Sequence, residues 1–176
     1  MWFCDECGRN VDGGDPLLGK APVCVDHGPR WRLIRNAPCA GAIVVRAGLV
    51  LLGRRAKAPF EGCWEVPGGF VERGEHPADA AVREVREELG VAITLTGLLG
   101  VYLEQSSRGE ALQVTVYVAS TNDAEPVADP TEVSEWAWFA RDDLPQEMAG
   151  RHRLRIDDWQ AGRAVPLPAD GLENPT

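Results

Sequence analysis

The sequence predicts an α/β domain preceded by a small zinc ribbon. Three features lead there. Runs of β-branched and apolar residues stand on either side of one strongly marked helix. The first 37 residues lack helical periodicity and contain two similar pieces, Cys4-Asp-Glu-Cys7-Gly8 and Cys24-Val-Asp-His27-Gly28. A chain of 176 residues, 44% of them hydrophobic, is long and apolar enough for one ordinary core with an appendage.

In chain order, Cys39 to Val45 and Leu49 to Leu52 read as strands of a hairpin across Arg46-Ala47-Gly48. Phe60 to Val71 is rich in Gly and Pro and reads largely as loop. Pro77 to Leu89 reads as a helix, with proline at its first position and Gly90 just past its end. Val91 to Glu104, Leu112 to Ala119 and Glu135 to Phe139 read as further strands, with Asn122 to Pro130 a loop. His152 to Ala161 reads as a last helix. The expected boundaries are therefore a ribbon over 1–37, the main domain over 38–162, and a flexible tail over 163–176.

Net charge is −9, and residues 1–36 balance five basic against five acidic side chains, so the whole excess lies beyond them. That argues against a large nucleic-acid footprint, and Arg30-Trp31-Arg32 with Arg35 is a weak basic patch at best. Cys4 to Cys7 interrupts the place where a signal peptide's apolar stretch would begin, and no apolar run approaches the ~20 residues of a membrane span. With five cysteines, an odd number, a reduced cytoplasmic protein is the expectation.

The two N-terminal pieces, C-x₂-C and C-x₂-H, offer the ligand number and spacing of a tetrahedral Zn²⁺ site. Each is followed by a glycine that lets the backbone turn beneath the ion. Four protein ligands, Cys4, Cys7, Cys24 and His27, leave no open position, so that metal is structural. Cys39 and Cys63 are left for packing.

On a wheel at ~100° per residue, the helix places Glu84, Glu87 and Glu88 on one face, and Ala78, Val82, Val85 and Leu89 on the stripe beside it. Carboxylates at this spacing repel one another, and the helix C-terminus disfavours them further. Stability alone would not choose the arrangement, whereas a divalent cation such as Mg²⁺ removes both penalties. Taken by itself, a Glu/Arg-rich helix is more often a solvated face with ion pairs through Arg83 and Arg86. The wider spacing reverses that judgement.

The run Gly69, five residues, Glu75, seven residues, Arg83-Glu84-Val85, one residue, Glu87-Glu88, one residue, Gly90-Val91 resembles the Nudix box at all nine specified positions. Chance would give such a match in roughly one chain in 10⁷. Gly62 to Phe70 is similar to the family's approach to the box, and Glu132 to Phe139 with Asp143-Leu144-Pro145 is similar to its closing segment. The resemblance covers about residues 38–146. It implies an α/β/α sandwich on a mixed, curled sheet, and hydrolysis of a phosphate anhydride in a nucleotide derivative.

The resemblance further implies that Glu84, Glu87 and Glu88 hold Mg²⁺ or Mn²⁺ together with the Gly68 carbonyl, and that Gly69, Glu75 and Arg83 support the site. In the family the general base is sometimes a box glutamate and sometimes on a late loop. Here Glu132 is the first late-loop choice and Glu135 the second. A homodimer is left open as the assembly.

A ribbon ahead of the box resembles two subgroups. NADH pyrophosphatases carry Ser-Gln-Pro-Trp after the box, where this chain has Tyr102-Leu-Glu-Gln-Ser-Ser107. The ADP-ribose or FAD pyrophosphatases match the layout better, which makes such a substrate the expectation. An NADH or NTP pyrophosphatase is the runner-up. A catalytically silent nucleotide sensor is the rival from another class, and such versions usually lose box glutamates that are all retained here. Trp64, Phe70, Tyr102, Trp136 and Trp138 are the aromatic residues available to stack on a base, although aromatic residues more often belong to the core.

Overall fold

A computed structural model describes residues 2–4, 6–11, 22–29, 36–106, 111–121 and 125–168. The Arg30 to Arg35 patch, Ser107 and residues 169–176 lie outside the described residues. The chain divides into two units, Met1–Arg35 and Asn36–Thr176.

The first unit holds two short hairpins, β1 (Trp2–Phe3) with β2 (Asn10–Val11) and β3 (Val23–Cys24) with β4 (Gly28–Pro29). Strands this short cannot form a large apolar core, and among the described residues the hydrophobic cluster here is Cys4, Val11 and Cys24. Gly8 and Gly28 both have positive φ, 69° and 73°, so the chain turns directly after Cys7 and after His27.

The second unit is built on one mixed sheet. Its strands are β5 (Ala37–Arg46), β6 (Leu49–Arg55), β7 (Trp64–Glu65), β8 (Gly68–Phe70), β9 (Thr94–Gln105), β10 (Ala111–Ser120), β11 (Val133–Phe139) and β12 (Val165–Pro166). The main order is β11-β6-β5-β10-β9-β12, with β7 added to β6 and β8 to β5. Among the described strands β5 and β10 pair in parallel and the rest antiparallel, and Val116/Tyr117 and Val118/Ala119 mark register shifts that bend the β9–β10 ladder. The β5–β6 hairpin turns at Ala47 and Gly48, both with positive φ.

Strand alternation divides the core between two faces. Ala40, Ala42 and Val44 of β5 join Tyr117 and Ala119 of β10 on the face covered by helix α1 (Pro77–Leu89). Cys39, Ile43, Val114, Val116 and Val118 point the other way, where Ile156 of helix α2 (His152–Gln160) packs. This is the expected α/β/α layering.

Helix α1 begins as its sequence predicts. His76 Nδ1 accepts from the Ala78 N–H at 3.1 Å, Pro77 follows, and Gly90 closes the end at φ 66°. Its buried arc is displaced from the expected stripe: Ala81 and Glu88 are buried, and Val82 is half-buried. Ala80 and Ala81 let the helix sit close to the sheet, and that seat rotates Glu88 inward.

Several boundaries differ from expectation. Ala37, assigned to the ribbon, opens β5 and pairs with Leu112. The loop expected over 60–71 contains β7 and β8, whose order comes from pairing with β6 and β5 rather than from any local pattern. Val91, the expected start of a strand, is instead buried in the core, and β9 starts at Thr94. The expected tail does not begin at 163, because Val165 and Pro166 pair with Leu98 and Gly97 and the Leu167 N–H donates to Thr96 O at 3.2 Å. Proline is tolerated there because β12 is an edge strand.

Candidate active site

The end of α1, the β7–β8 turn and the segment before β11 meet around one cleft of about 930 Å³. Gly41 of β5 makes this possible, since a Cβ there would lie 2.5 Å from the carbonyl oxygen of Pro67. Gly69 serves the same end on β8: a Cβ would fall 2.5 Å from Glu84 Oε2. Bare backbone therefore lies directly against the box carboxylates.

The three box glutamates are not equivalent. Glu87 is exposed, Glu84 is half-buried and Glu88 is buried at 6% exposure. Glu88 Oε2 accepts the Gly68 N–H at 3.1 Å. Burial, then the charge of Glu65, and after it those of Glu84 and Glu132, push the Glu88 carboxyl up to about 9 against the opposing Gly68 hydrogen bond. Burial likewise raises Glu84, with Arg83 opposing. Ionising the site without a metal is thus unfavourable, a cost that a divalent cation would relieve, and its donors are all hard oxygens. The residues present fit Mg²⁺ or Mn²⁺.

Arg83 joins the glycine loop to the helix. Its Nε and Nη2 donate to both Glu75 oxygens at 2.8 and 2.9 Å, Nη1 donates to Glu84 and Glu87 at 2.8 and 2.9 Å, and Nη2 also reaches the Phe70 carbonyl at 3.0 Å. This fork holds Glu75 down at about 2 and raises Arg83 itself. Glu132 lines the cleft with Lys57 Nζ 2.7 Å away. Glu135 does not line it and pairs instead with Arg54 at 3.1 Å.

Glu65 was missed by sequence reasoning. A lone glutamate carries no pattern, and its only signal is its place between Trp64 and Pro67-Gly68-Gly69. It is buried, takes two 2.8 Å hydrogen bonds from Arg55 Nη1, and has His152 Nε2 at 3.9 Å. His152 Nδ1 accepts the Val66 N–H at 2.9 Å, and burial together with Arg155 and Arg55 keeps the ring neutral. The first turn of α2 is thereby tied to the floor of the site. Buried Arg155, on the same helix, pairs with Glu104. Of the five aromatic residues considered for stacking, Trp64, Tyr102, Trp136 and Trp138 pack against the core clusters, and Phe70 stands exposed at the cleft.

In the first unit, the ligand atoms of Cys4, Cys7, Cys24 and His27 all lie within 4.8 Å of one another. Cys7 Sγ to Cys24 Sγ is 3.8 Å, and His27 Nδ1 lies 3.5 and 3.6 Å from the sulfurs of Cys4 and Cys24. Zn–S bonds of ~2.3 Å and Zn–N bonds of ~2.0–2.1 Å at tetrahedral angles give edges of about 3.8 and 3.5 Å, which fit. The Asp26 backbone N–H outweighs burial and, with His27, brings the Cys24 thiol down to about 6, favouring the thiolate a metal needs. Glu6 Oε2 lies 3.5 Å from His27 Nε2, on the side of the ring away from the sulfurs.

Residues 35–160 match the NUDIX domain family model. The chain is 33% identical over 133 residues to the ADP-ribose pyrophosphatase of Methanocaldococcus jannaschii, covering 74% of this chain and 77% of that protein. It is 30% identical over 165 residues to the NAD-capped RNA hydrolase NudC of Pseudomonas aeruginosa, covering 92% of this chain and 56% of that protein. The crystal structure of a MutT NUDIX hydrolase from Burkholderia pseudomallei superposes with a TM-score of 0.66 at 36% identity, over 70% of this chain and 98% of that one. No helix among the described residues is long and apolar enough to cross a membrane.

Proposed function

Since the chain belongs to the NUDIX family of pyrophosphate hydrolases, we propose that it cleaves the pyrophosphate bond of a nucleoside diphosphate linked to another moiety, of the ADP-ribose or FAD type. The observation that carries the reaction is the burial of Glu88 beside Glu84 and Glu65 against the Gly68 N–H. Such crowding is unfavourable until positive charge arrives.

Glu84, Glu87, Glu88 and the Gly68 carbonyl would hold Mg²⁺ or Mn²⁺. When bound, the metal would supply positive charge against the phosphate oxygens and lower the pKa of water, so that it can give up a proton as it attacks phosphorus. Arg83 keeps Glu84 and Glu87 oriented by its two short hydrogen bonds. Arg55 fixes Glu65, and Glu65 with His152 closes the floor beneath Glu88. Glu132, at the cleft wall, accepts the proton of the attacking water, and Lys57 Nζ, 2.7 Å away, holds it in place. Cys4, Cys7, Cys24 and His27 would hold a structural Zn²⁺.

The relation to the M. jannaschii enzyme and the position of the ribbon support an ADP-ribose-type substrate. The longer match to the Pseudomonas enzyme supports a second reading, an NAD-type dinucleotide. Chromatography of products from ADP-ribose, FAD, NADH and NTPs with Mg²⁺ and Mn²⁺ tests both. AMP plus ribose 5-phosphate is the expected outcome. Preferential release of pyrophosphate from an NTP would overturn the substrate while leaving the reaction class standing, and binding without turnover would point to a sensor.

A further inference from the structure

Two phenylalanines stand in solvent at an otherwise strongly charged cleft. Phe60 is 52% exposed and Phe70 60%, and both line the cleft that contains Glu84 and Glu88. A single exposed apolar side chain needs no explanation. Phe60 does, because its φ is 62°. A bulky L-residue in the left-handed region is a costly outlier that Gly or Asn would occupy more easily.

The fold holds Phe60 there firmly. The Gly62 N–H donates to Arg55 O at 2.9 Å, the Cys63 N–H to Phe60 O at 3.0 Å, and Arg55 Nε to Pro59 O at 2.6 Å. Through Nη1 the same arginine grips Glu65 at the floor of the site. Phe70 is fastened in a parallel way, since Arg83 donates to its carbonyl and to Glu84 at once. The backbone beside each ring is thus held by an arginine that also holds a carboxylate of the cleft, Arg55 through Pro59 and Glu65, Arg83 through Phe70 and Glu84. Strain that the surroundings hold in place, in a side chain that buries little, points to a ligand.

We propose that Phe60 and Phe70 form the nucleobase subsite, aromatic surfaces on which a purine stacks while its diphosphate lies against the box glutamates. Stacking needs a flat apolar face and no hydrogen-bond code, which is what two exposed rings offer in a cleft whose polar groups serve the phosphates. The inference rests on the proposed function only for where the diphosphate sits.

The test is binding rather than turnover, with Mg²⁺ present and two uncleavable probes: α,β-methylene-ADP, and methylene diphosphonate, which has the phosphate end without a base. For Phe60→Asn and Phe70→Ala the expected result is a loss of about 10- to 100-fold for the nucleotide, with diphosphonate affinity unchanged. Asn tolerates the left-handed backbone, so Phe60→Asn is expected to melt no lower than the parent. Equal losses for both probes would show that the rings merely shape the phosphate site, and no loss for either would refute the subsite. Unchanged nucleotide affinity with loss of a dimer would assign the rings to a contact between copies of the chain. Cleavage of a different nucleotide from the one proposed would alter the substrate and leave this result untouched.

Discussion

The Gly68 N–H donates to Glu88 Oε2 at 3.1 Å across twenty residues of sequence. This ties the glycine turn to the one box glutamate that the fold buries. The turn and the helix end therefore move as a unit, and substitutions on either side report on the other.

Glu88→Gln keeps the shape and an acceptor for Gly68 but removes the carboxyl that would ionise to meet a metal. Turnover is expected to fall by at least ~10²-fold at saturating Mg²⁺. The metal-free protein is expected to melt higher, because an expensive buried carboxyl becomes a neutral amide. Steady-state rates and thermal melts of the one variant check both, and near-parental activity would remove Glu88 from the site.

The pH dependence follows from the same group. Glu88 titrates at about 9 when folded and near its ordinary 4.5 when unfolded. Between those values the folded state holds a proton that the unfolded chain has released, so this contribution is complete below about 4.5 and is lost as pH rises through about 9. His152, with its lowered pKa, acts in the opposite direction but only below its ordinary 6.5. From about pH 7 to 8.5 the metal-free protein should lose stability more steeply than Glu88→Gln. Mg²⁺ binding near pH 7 should release about one proton, read by calorimetry in buffers of different ionisation enthalpy.

Gly69→Ala and Gly41→Ala separate catalysis from folding. At Gly69 the new Cβ would meet the Glu84 carboxylate, at 2.5 Å from Oε2, so a side chain must move. Activity should fall about 10- to 100-fold with the fold retained. At Gly41 the new Cβ would meet the Pro67 carbonyl oxygen at 2.5 Å, a backbone atom that cannot give way easily. That variant should lose about 1–3 kcal/mol of stability. Chemical denaturation and rates on both variants distinguish the two outcomes.

Glu132→Gln should lower kcat by at least ~10-fold, as expected on loss of a general base. Glu135→Gln, on a side chain paired with Arg54 away from the cleft, should leave kcat within about twofold. Equal effects from both would return the base to the box itself.

The parts of this molecule that were legible in sequence are those whose physics is local. Pro77, Gly90 and the 3.6-residue period mark α1 without help from the rest of the chain. Ala47-Gly48 marks the hairpin in the same way. Strands β7 and β8 are two and three residues long, too short for any period, and exist through pairing with distant strands. Glu65 and Phe60 acquire meaning only when those pairings place them at the cleft. The inward rotation of Glu88 was likewise hidden, because it depends on the depth at which Ala80 and Ala81 seat the helix.

The N-terminal unit gives the last prediction. Purified under reducing conditions, the protein should carry about one zinc per chain. Three separations, Cys7–Cys24, Cys4–His27 and Cys24–His27, already match tetrahedral edges, and the lowered Cys24 thiol binds with less proton cost than an ordinary cysteine. Among the described residues its hydrophobic cluster is Cys4, Val11 and Cys24, two of them ligands in the proposed site, so the metal is expected to contribute much of this unit's stability. Cys7→Ser should therefore abolish zinc retention and expose residues 1–35 to protease, while hydrolysis at the cleft, whose described lining residues belong to the second unit, survives. Elemental analysis and limited proteolysis measure the two effects. Parental activity with a cleaved N-terminus would confine the ribbon to a structural part, whereas a loss of activity in step with zinc would show that the cleft depends on it.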